Sequence, residues 1–205
     1  MKWGKAAIVL LDPDDAVIRR DAIAWKFRYS VPDHLCFSIP PRSGAPLNGF
    51  TELGEGSLSF SDLSTKIIIV SHGLPGGVEM NDAIKNPGVF SDYLKLWGLQ
   101  AVGLLTFRGC LLGQDLFLDQ LGTMLSMRRI SVGWLIGYRH KSCQWRRTWH
   151  ECSGRADEAV REATWGAQKL PDSERVKIVK GNCNVVSPNA HSHRYPGQRV
   201  RETTV

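Results

Sequence analysis

The stretch KIIIVSHGLPGG, residues 66–77, decides how the rest of the chain is interpreted. Its run of apolar residues indicates a strand buried on both faces, and this strand leads into His72 and Gly73 before a turn rich in glycine and proline. A second stretch of the same shape, AVGLLTFRGCLLG at 101–113, contains Cys110 where its strand should end. The sequence thus places a histidine and a cysteine after two successive apolar strands.

The other apolar runs extend this pattern to a sheet of about six strands. We predict strands at Ala6–Leu11, Leu35–Ile39, Ile67–Ser71, Ala101–Phe107, Ser131–Tyr138 and, more weakly, Val176–Val179. Predicted helices lie between them, at 14–27 with Asp14 as N-cap, 89–97, 111–127 and 156–170, and the segment 40–64 is predicted to be loop with a small hairpin. Strands that alternate with helices predict an α/β fold with a mainly parallel sheet and helices on both faces.

Ligands collect at the carboxyl ends of the strands in such sheets, and both His72 and Cys110 lie there. If the two strands are neighbours, they are about 5 Å apart, and the side chains that follow them come within reach of each other. A thiolate is the reactive form of cysteine, and a nearby imidazole favours it or takes up its proton. A helix that begins at Leu111 would also favour the thiolate and offer backbone N–H groups to an oxyanion. The pattern predicts a cysteine nucleophile assisted by a histidine.

The motifs IIIVSHG at 67–73 and VGLLTFRGC at 102–110, with His72 and Cys110 38 residues apart, resemble those of the caspase-like cysteine peptidases of clan CD. The two leucines and the amphipathic helix after Cys110 are similar in particular to the autoprocessing cysteine-protease domains of large bacterial toxins. The resemblance covers about residues 6 to 140. It implies a three-layer caspase-like sandwich and a cysteine endopeptidase that works through a Cys–His dyad and a covalent thioester, without a cofactor.

The resemblance also implies a role for each residue of the two motifs. His72 would be the general base or acid, Cys110 the nucleophile, and the N–H groups of Gly73 and Cys110 the oxyanion hole. The residue before the cysteine is Gly109, where caspases have alanine and other members of the clan have glycine. Both glycines would let a substrate and the backbone approach closely.

Arg108 stands two positions before the cysteine, where caspases carry a glutamine that lines the first specificity pocket. An arginine there could bind an acidic side chain of the substrate bidentately, although a surface arginine is an equal alternative. Arg139 and His140, at the end of the next strand, are further candidates for substrate binding.

The charge of the chain is uneven. Residues 1–127 hold 11 Lys and Arg against 13 Asp and Glu, whereas residues 128–205 hold 15 against 7. We interpret residues 1–186 as the peptidase domain and 187–205 as a basic, flexible tail. The basic part could be a solvated face or could bind a polyanion that activates the enzyme. The sequence has no zinc-finger or RNA-binding signature, which argues against nucleic acid.

The five cysteines are odd in number and fit no disulfide framework, so a mostly reduced protein is predicted. His140, Cys143, His150 and Cys152 lie close together, but their spacing matches no common zinc site, so we predict no metal. No apolar run approaches the roughly 20 residues of a membrane span. The expected location is the cytoplasm, or outside the cell as an effector without a cleavable signal peptide, with a protein or peptide as substrate.

Three other interpretations remain open. HGLPGG resembles the oxyanion loop of α/β-hydrolase esterases, but Cys110 lacks the small flanking residues of a nucleophile elbow. Asp12 and Asp14 resemble the first motif of haloacid-dehalogenase phosphatases, whose later acidic pair is missing. The chain could also be a caspase-like interaction module that has lost activity.

Overall fold

The computed structural model describes residues 3–139 and 176–185. Within them the chain forms ten strands, three α-helices and a single 3-10 turn at Asp33–Leu35. In chain order these are β1 (Lys5–Leu10), α1 (Ala16–Tyr29), β2 (Cys36–Ser38), β3 (Thr51–Glu52), β4 (Thr65–Val70), β5 (Gly73–Leu74), β6 (Gly77–Met80), β7 (Ala83–Lys85), α2 (Pro87–Leu96), β8 (Ala101–Phe107), α3 (Phe117–Met127), β9 (Ser131–Tyr138) and β10 (Val176–Lys180). The predicted helix 156–170, the predicted tail and the cluster from His140 to Cys152 lie outside the described residues.

Seven strands form one central sheet, in the order β10-β9-β8-β4-β1-β2-β3. All neighbours are parallel except β9 and β10, which pair antiparallel. All six predicted strands are present, and β3 adds a seventh of only two residues. The predicted α/β fold with a mainly parallel sheet is therefore confirmed.

Helices cover both faces of this sheet. Because side chains alternate along a strand, Ile8 and Ile68 point towards α1, while Ile67 and Ile69 point to the opposite face. The residues that α1 contributes to the first face are Ile18, Ala22 and Trp25. Those that α2 and α3 contribute to the second are Phe90, Leu94, Leu118, Leu121 and Leu125. Full burial of an aliphatic side chain or of phenylalanine contributes roughly 1.5–3 kcal/mol, so the two apolar layers hold the helices against both faces of the sheet.

The segment after β8 departs from the prediction. Helix α3 begins at Phe117, whereas the periodicity predicts a start at Leu111. Leu111 has a left-handed φ of 62°, and the N–H of Gly113 donates to the carbonyl of Tyr138 at 2.6 Å. A residue with a left-handed φ cannot belong to a right-handed α-helix, so the turns at 110–116 replace its first six residues. The expected helix N-terminus at Cys110 is wrong.

Two smaller expectations also change. The N-cap of α1 is Asp15 rather than Asp14. The predicted hairpin within 40–64 is not formed in that segment, which contributes only β3 to the central sheet. A small antiparallel sheet, β5-β6-β7, follows His72 instead, and its β6–β7 turn has both Asn81 and Asp82 at positive φ, as a tight hairpin turn requires.

Within the described ranges, no helix is long and apolar enough to cross a membrane.

Candidate active site

The ends of β4 and β8 lie side by side. The register pairs Ile69 with Phe107, and both His72 and Cys110 stand three residues beyond these partners. The pairing continues past the strands, because the N–H of Arg108 donates to the carbonyl of Ile69 at 2.8 Å. Adjacent strands are about 4.8 Å apart, so the backbone brings the histidine and the cysteine to equivalent positions at one edge of the sheet.

Two glycines allow this close approach. A Cβ atom at Gly73 would overlap the carbonyl oxygen of Cys110 and would meet the Leu112 side chain at 2.7 Å. A Cβ atom at Gly109 would lie 3.1 Å from the carbonyl oxygen of Ser71 and 3.2 Å from the nitrogen of Gly73. Each glycine therefore faces the backbone of the other motif, and a larger residue would push the two strand ends apart.

His72 is held at both its backbone and its side chain. Its carbonyl accepts a hydrogen bond from the N–H of Glu79 on β6 at 3.1 Å. Its Nε2 lies 3.2 Å from Oδ2 of Asp15, at the start of α1. Both side chains are half-buried, so the ring is fixed yet still reachable from solvent.

Asp15 is ionised in this arrangement. Burial alone would raise the pKa of Asp15, but the hydrogen bond from the N–H of Ile18, the contact with His72 and the hydrogen bond from the N–H of Val17 together hold it below its ordinary value. Oδ1 accepts from both backbone N–H groups, at 2.6 Å from Val17 and 2.9 Å from Ile18, and Oδ2 faces the imidazole. One carboxylate thus caps a helix and contacts the candidate catalytic histidine.

The surroundings of this pair are acidic. Asp12, three residues before Asp15, is buried. Burial raises the pKa of Asp12, and the charges of Asp15 and Asp82 add to this effect. The hydrogen bond from the N–H of Asp15 and the charge of His72 lower this pKa, but they do not cancel the rise. Ligand atoms of Asp12, Asp15 and His72 lie within 4.8 Å of one another, as do those of Asp12, Glu79 and Asp82. Carboxylates reach this spacing at many protein surfaces without an ion, and we assign no metal to either group.

Arg108 lies beneath α1 rather than on the surface. Its side chain is 8% exposed, and its guanidinium carbon lies 3.8 Å from the centre of the Trp25 ring. One guanidinium nitrogen donates to the hydroxyl of Tyr138. The residue predicted to meet an acidic substrate therefore already has aromatic neighbours on two sides.

Two further ionisable groups share this buried layer. Burial raises the pKa of Asp21 to about 7, against the charge of Arg108 and a hydrogen bond from Trp25, which lower it. Burial, and secondarily the charge of Arg108, lowers the pKa of Lys66 to about 7. The Nζ of Lys66 donates to the hydroxyl of Tyr29 at 2.9 Å. The layer between α1 and the sheet thus holds an acid and a base that both change charge near neutral pH.

The other candidates lie at the next strand end. Arg139 follows β9 directly and is half-buried, whereas His140 lies outside the described residues. Among the described cysteines, Cys36 and Cys183 form no disulfide with each other or with Cys110. Burial raises the pKa of Cys36 to about 11, which makes this thiol unreactive at neutral pH.

Sequence reasoning missed Asp15. The residue lies 57 positions before His72, and its only local signal is that of a helix N-cap, which Asp14 displays equally well. Asp14 is instead exposed, and its Oδ2 accepts a hydrogen bond from the N–H of Arg42 at 2.9 Å. The contact of Asp15 Oδ2 with His72 in the folded chain shows which of the two carboxylates reaches the histidine.

No family model matches the chain, and no curated protein matches it. Among solved structures it is similar to a secreted C11 cysteine protease from Bacteroides thetaiotaomicron in complex with an irreversible peptide inhibitor, at 11% identity and a TM-score of 0.39, over 68% of this chain and 49% of that one. A second structure of a secreted C11 cysteine protease from this organism, "iotapain", gives 10% identity and a TM-score of 0.45, over 88% and 67%. This chain spans about half the length of the first of these proteins.

Proposed function

We propose that the protein is a cysteine endopeptidase in which Cys110 is the nucleophile and His72 the general base and acid. The observation that carries this proposal is the register of β4 and β8, which sets both residues three positions beyond the pair Ile69–Phe107. A thiol and an imidazole at the carboxyl edge of a parallel sheet are the two groups that acyl transfer needs.

The proposed reaction has two halves. His72 takes the proton of Cys110, and the thiolate attacks the carbonyl carbon of the scissile peptide bond, whose oxygen becomes an anion. The N–H groups of Gly73 and Cys110 would stabilise this oxyanion by hydrogen bonds. Collapse of the intermediate breaks the C–N bond, the amine leaves with the proton from His72, and a thioester remains. Water, deprotonated by His72, then attacks the thioester and releases the acid and the thiol.

Because α3 begins at Phe117 and not at Leu111, the thiol of Cys110 would be activated differently from the prediction. Cys110 lies in a turn six residues before the N-cap Leu116, so no helix dipole acts directly on its sulfur. His72 is then the main group available to generate the thiolate. The predicted particular likeness to the toxin domains depended partly on a helix that follows the cysteine at once, and it stays a prediction.

We propose that the substrate is a protein or peptide with an acidic side chain before the scissile bond, bound by Arg108, Arg139 and His140. Arg108 stands two residues before the nucleophile, but its side chain is 8% exposed and packs against Trp25 and Tyr138, so it would have to turn out from beneath α1 to meet that acidic side chain. Arg139 is half-buried at the end of β9 and would give a second cation. Peptides with aspartate or glutamate at this position should be cleaved faster than matched peptides with lysine.

A polyanion activator at the basic part after Arg128, and a location in the cytoplasm or outside the cell, both stay predictions. The activator would be tested by adding inositol hexakisphosphate to the labelling reaction described next and comparing the rates.

The deciding experiment is alkylation with an iodoacetamide probe at near-neutral pH, with the labelled sites mapped by mass spectrometry. Cys183 is the matched control thiol, because it is half-buried like Cys110, and Cys36 is the buried control. We expect Cys110 to label at least tenfold faster than Cys183, and His72→Ala to abolish the difference. Equal rates at the two thiols, with and without inositol hexakisphosphate, would indicate an inactive relative that serves as an interaction module.

A further inference from the structure

We propose that Asp15 is a positioning residue for His72: its carboxylate accepts a hydrogen bond from Nε2–H, and this leaves Nδ1 as the nitrogen that takes the proton of Cys110. This inference rests on the proposed peptidase function, which assigns the proton transfer to His72. The contact joins Oδ2 of Asp15 to Nε2 of His72 at 3.2 Å.

The carboxylate is held independently of the histidine. Oδ1 accepts from the N–H groups of Val17 and Ile18, and the N–H of Asp15 donates to Oδ1 of Asp12 at 3.3 Å. These bonds fix both the backbone and the side chain of Asp15 to the first turn of α1. The helix itself is packed against the sheet through Ile18 and Trp25. Oδ2 is therefore presented from a rigid element, as a group that orients another must be.

The chemistry of the neighbours determines which ring nitrogen carries the proton. A carboxylate can only accept a hydrogen bond, so the nitrogen that faces Oδ2 must be the donor. Glu79 and Asp82, the other charged groups next to this cluster on the β5–β7 sheet, are acids as well, and Arg42 pairs with Asp82. In the neutral imidazole the proton is then on Nε2, and Nδ1 is left as the acceptor.

The energetics favour orientation over stability as the role of the contact. His72 and Asp15 keep 40% and 34% of their side chains exposed, and a contact between charged groups that is this open to solvent adds little to stability. The N-cap bonds of Asp15 do stabilise α1, but asparagine and serine provide such bonds nearly as well. The capping role and the positioning role can therefore be separated by substitution.

The decisive variant is Asp15→Asn. Asparagine keeps the helix cap with its single carbonyl oxygen, which turns its NH2 group towards Nε2 of His72. An N–H donor at that place favours the opposite tautomer, with the proton on Nδ1. Asp15→Ser keeps the cap with a shorter side chain that does not reach the ring. Asp14→Asn is the matched control, because it removes the neighbouring carboxylate that does not contact His72.

The first readout is the 15N spectrum of the His72 ring in the full-length Cys110→Ala protein at a pH where the ring is neutral. We expect the Nε2–H form in the parent and in Asp14→Asn, the Nδ1–H form as the major species in Asp15→Asn, and a mixture in Asp15→Ser. The same tautomer in parent and Asp15→Asn would overturn the inference. This readout needs no peptidase activity, so it stands even if the proposed function fails.

The second readout is the rate of Cys110 alkylation, and of peptide cleavage once a substrate is found. A base with the wrong nitrogen protonated cannot take the thiol proton, so Asp15→Asn should lower both rates by roughly 10²–10⁴-fold, with KM changed by less than about threefold. Thermal unfolding should show Asp15→Asn and Asp14→Asn to be about equally stable. Parent-like rates in Asp15→Asn would refute the positioning role, whereas a parent Cys110 that labels no faster than Cys183, with and without inositol hexakisphosphate, would refute the peptidase proposal itself.

Discussion

The guanidinium carbon of Arg108 lies 3.8 Å from the centre of the Trp25 ring, which ties the residue two places before Cys110 to helix α1. The same helix begins at Asp15, which contacts His72. Helix α1 therefore touches both motifs of the candidate site, one through a buried cation over an aromatic ring and the other through a carboxylate at its N-terminus.

Arg108→Lys should destabilise the protein even though it keeps the charge. A planar guanidinium stacks on an indole ring and donates in fixed directions, whereas an ammonium group does neither, so the free energy of unfolding should fall by about 1–2 kcal/mol. Urea unfolding at pH 7 measures this. Arg20→Lys, on the exposed side of the same helix, is the control and should change little. Equal stability of the two variants would contradict the buried stacking.

Gly73→Ala should separate the two strand ends. The new Cβ atom would overlap the carbonyl oxygen of Cys110, and backbone atoms on both sides would have to move. We expect a loss of about 1–3 kcal/mol in the free energy of unfolding and a roughly hundredfold slower alkylation of Cys110. Gly54→Ala is the matched control, because nothing lies within 4 Å of its Cβ position. Normal labelling in Gly73→Ala would show that the strand ends are not this close.

Asp21→Asn should change how stability depends on pH. Burial raises the pKa of Asp21 from its ordinary value of 3.8 to about 7, so between these values the folded state holds a proton that the unfolded state has lost. The free energy of unfolding must then decrease as the pH rises from about 4 to about 7, and Asp21→Asn should lack this decrease. Urea unfolding at several pH values between 4 and 8 measures the difference.

Asp62→Asn provides a control of opposite sign. Hydrogen bonds from the side chain and the N–H of Ser64 lower the pKa of Asp62 to about 2, so its contribution is present above about pH 4 and is lost as the pH falls towards 2. The parent should lose stability relative to Asp62→Asn as the pH falls from about 4 to 2. It should lose stability relative to Asp21→Asn as the pH rises from about 4 to 7. Two curves of the same sign would refute the buried position of Asp21.

Lys66→Met should remove a gain in stability at alkaline pH. Burial lowers the pKa of Lys66 from its ordinary value of 10.5 to about 7, so between these values the unfolded state holds the extra proton. The free energy of unfolding of the parent should therefore rise from pH 7 to about 10 relative to Lys66→Met. At pH 7 and below, the methionine variant should be the more stable, because a charged ammonium is costly to bury. A difference that does not change with pH would contradict the assignment.

The sequence was sufficient for the sheet and its two covering layers. Continuous apolar runs located six strands, and β8 and β9 match their predicted bounds, because residues buried on both faces leave no polar interruptions. The stripe Ile18, Ala22 and Trp25 of α1 is buried as expected. The adjacency of β4 and β8, on which the proposed pairing of His72 with Cys110 depends, also followed from chain order.

What the sequence could not provide depends on contacts between distant segments. The late start of α3 goes with the left-handed φ of Leu111 and the contact of Gly113 with Tyr138 on β9, and local periodicity carries no trace of either. The choice of Asp15 over Asp14 depends on where β4 ends relative to α1. The burial of Arg108 depends on α1 lying over the end of β8, so a residue expected to face substrate also contributes to the core.

The long separations within the site have a consequence for how the protein folds. Asp15 and His72 are 57 residues apart along the chain, and Arg108 and Tyr138 are 30 apart. Contacts of this kind form slowly, because closing the loop between the partners costs entropy before any stabilising bond has formed. During refolding from urea, helical circular dichroism should recover first and rapid alkylation of Cys110 last. The rate of Cys110 alkylation would then measure the final docking of α1 on the sheet. Spectroscopic signals that average over the whole chain do not resolve this step.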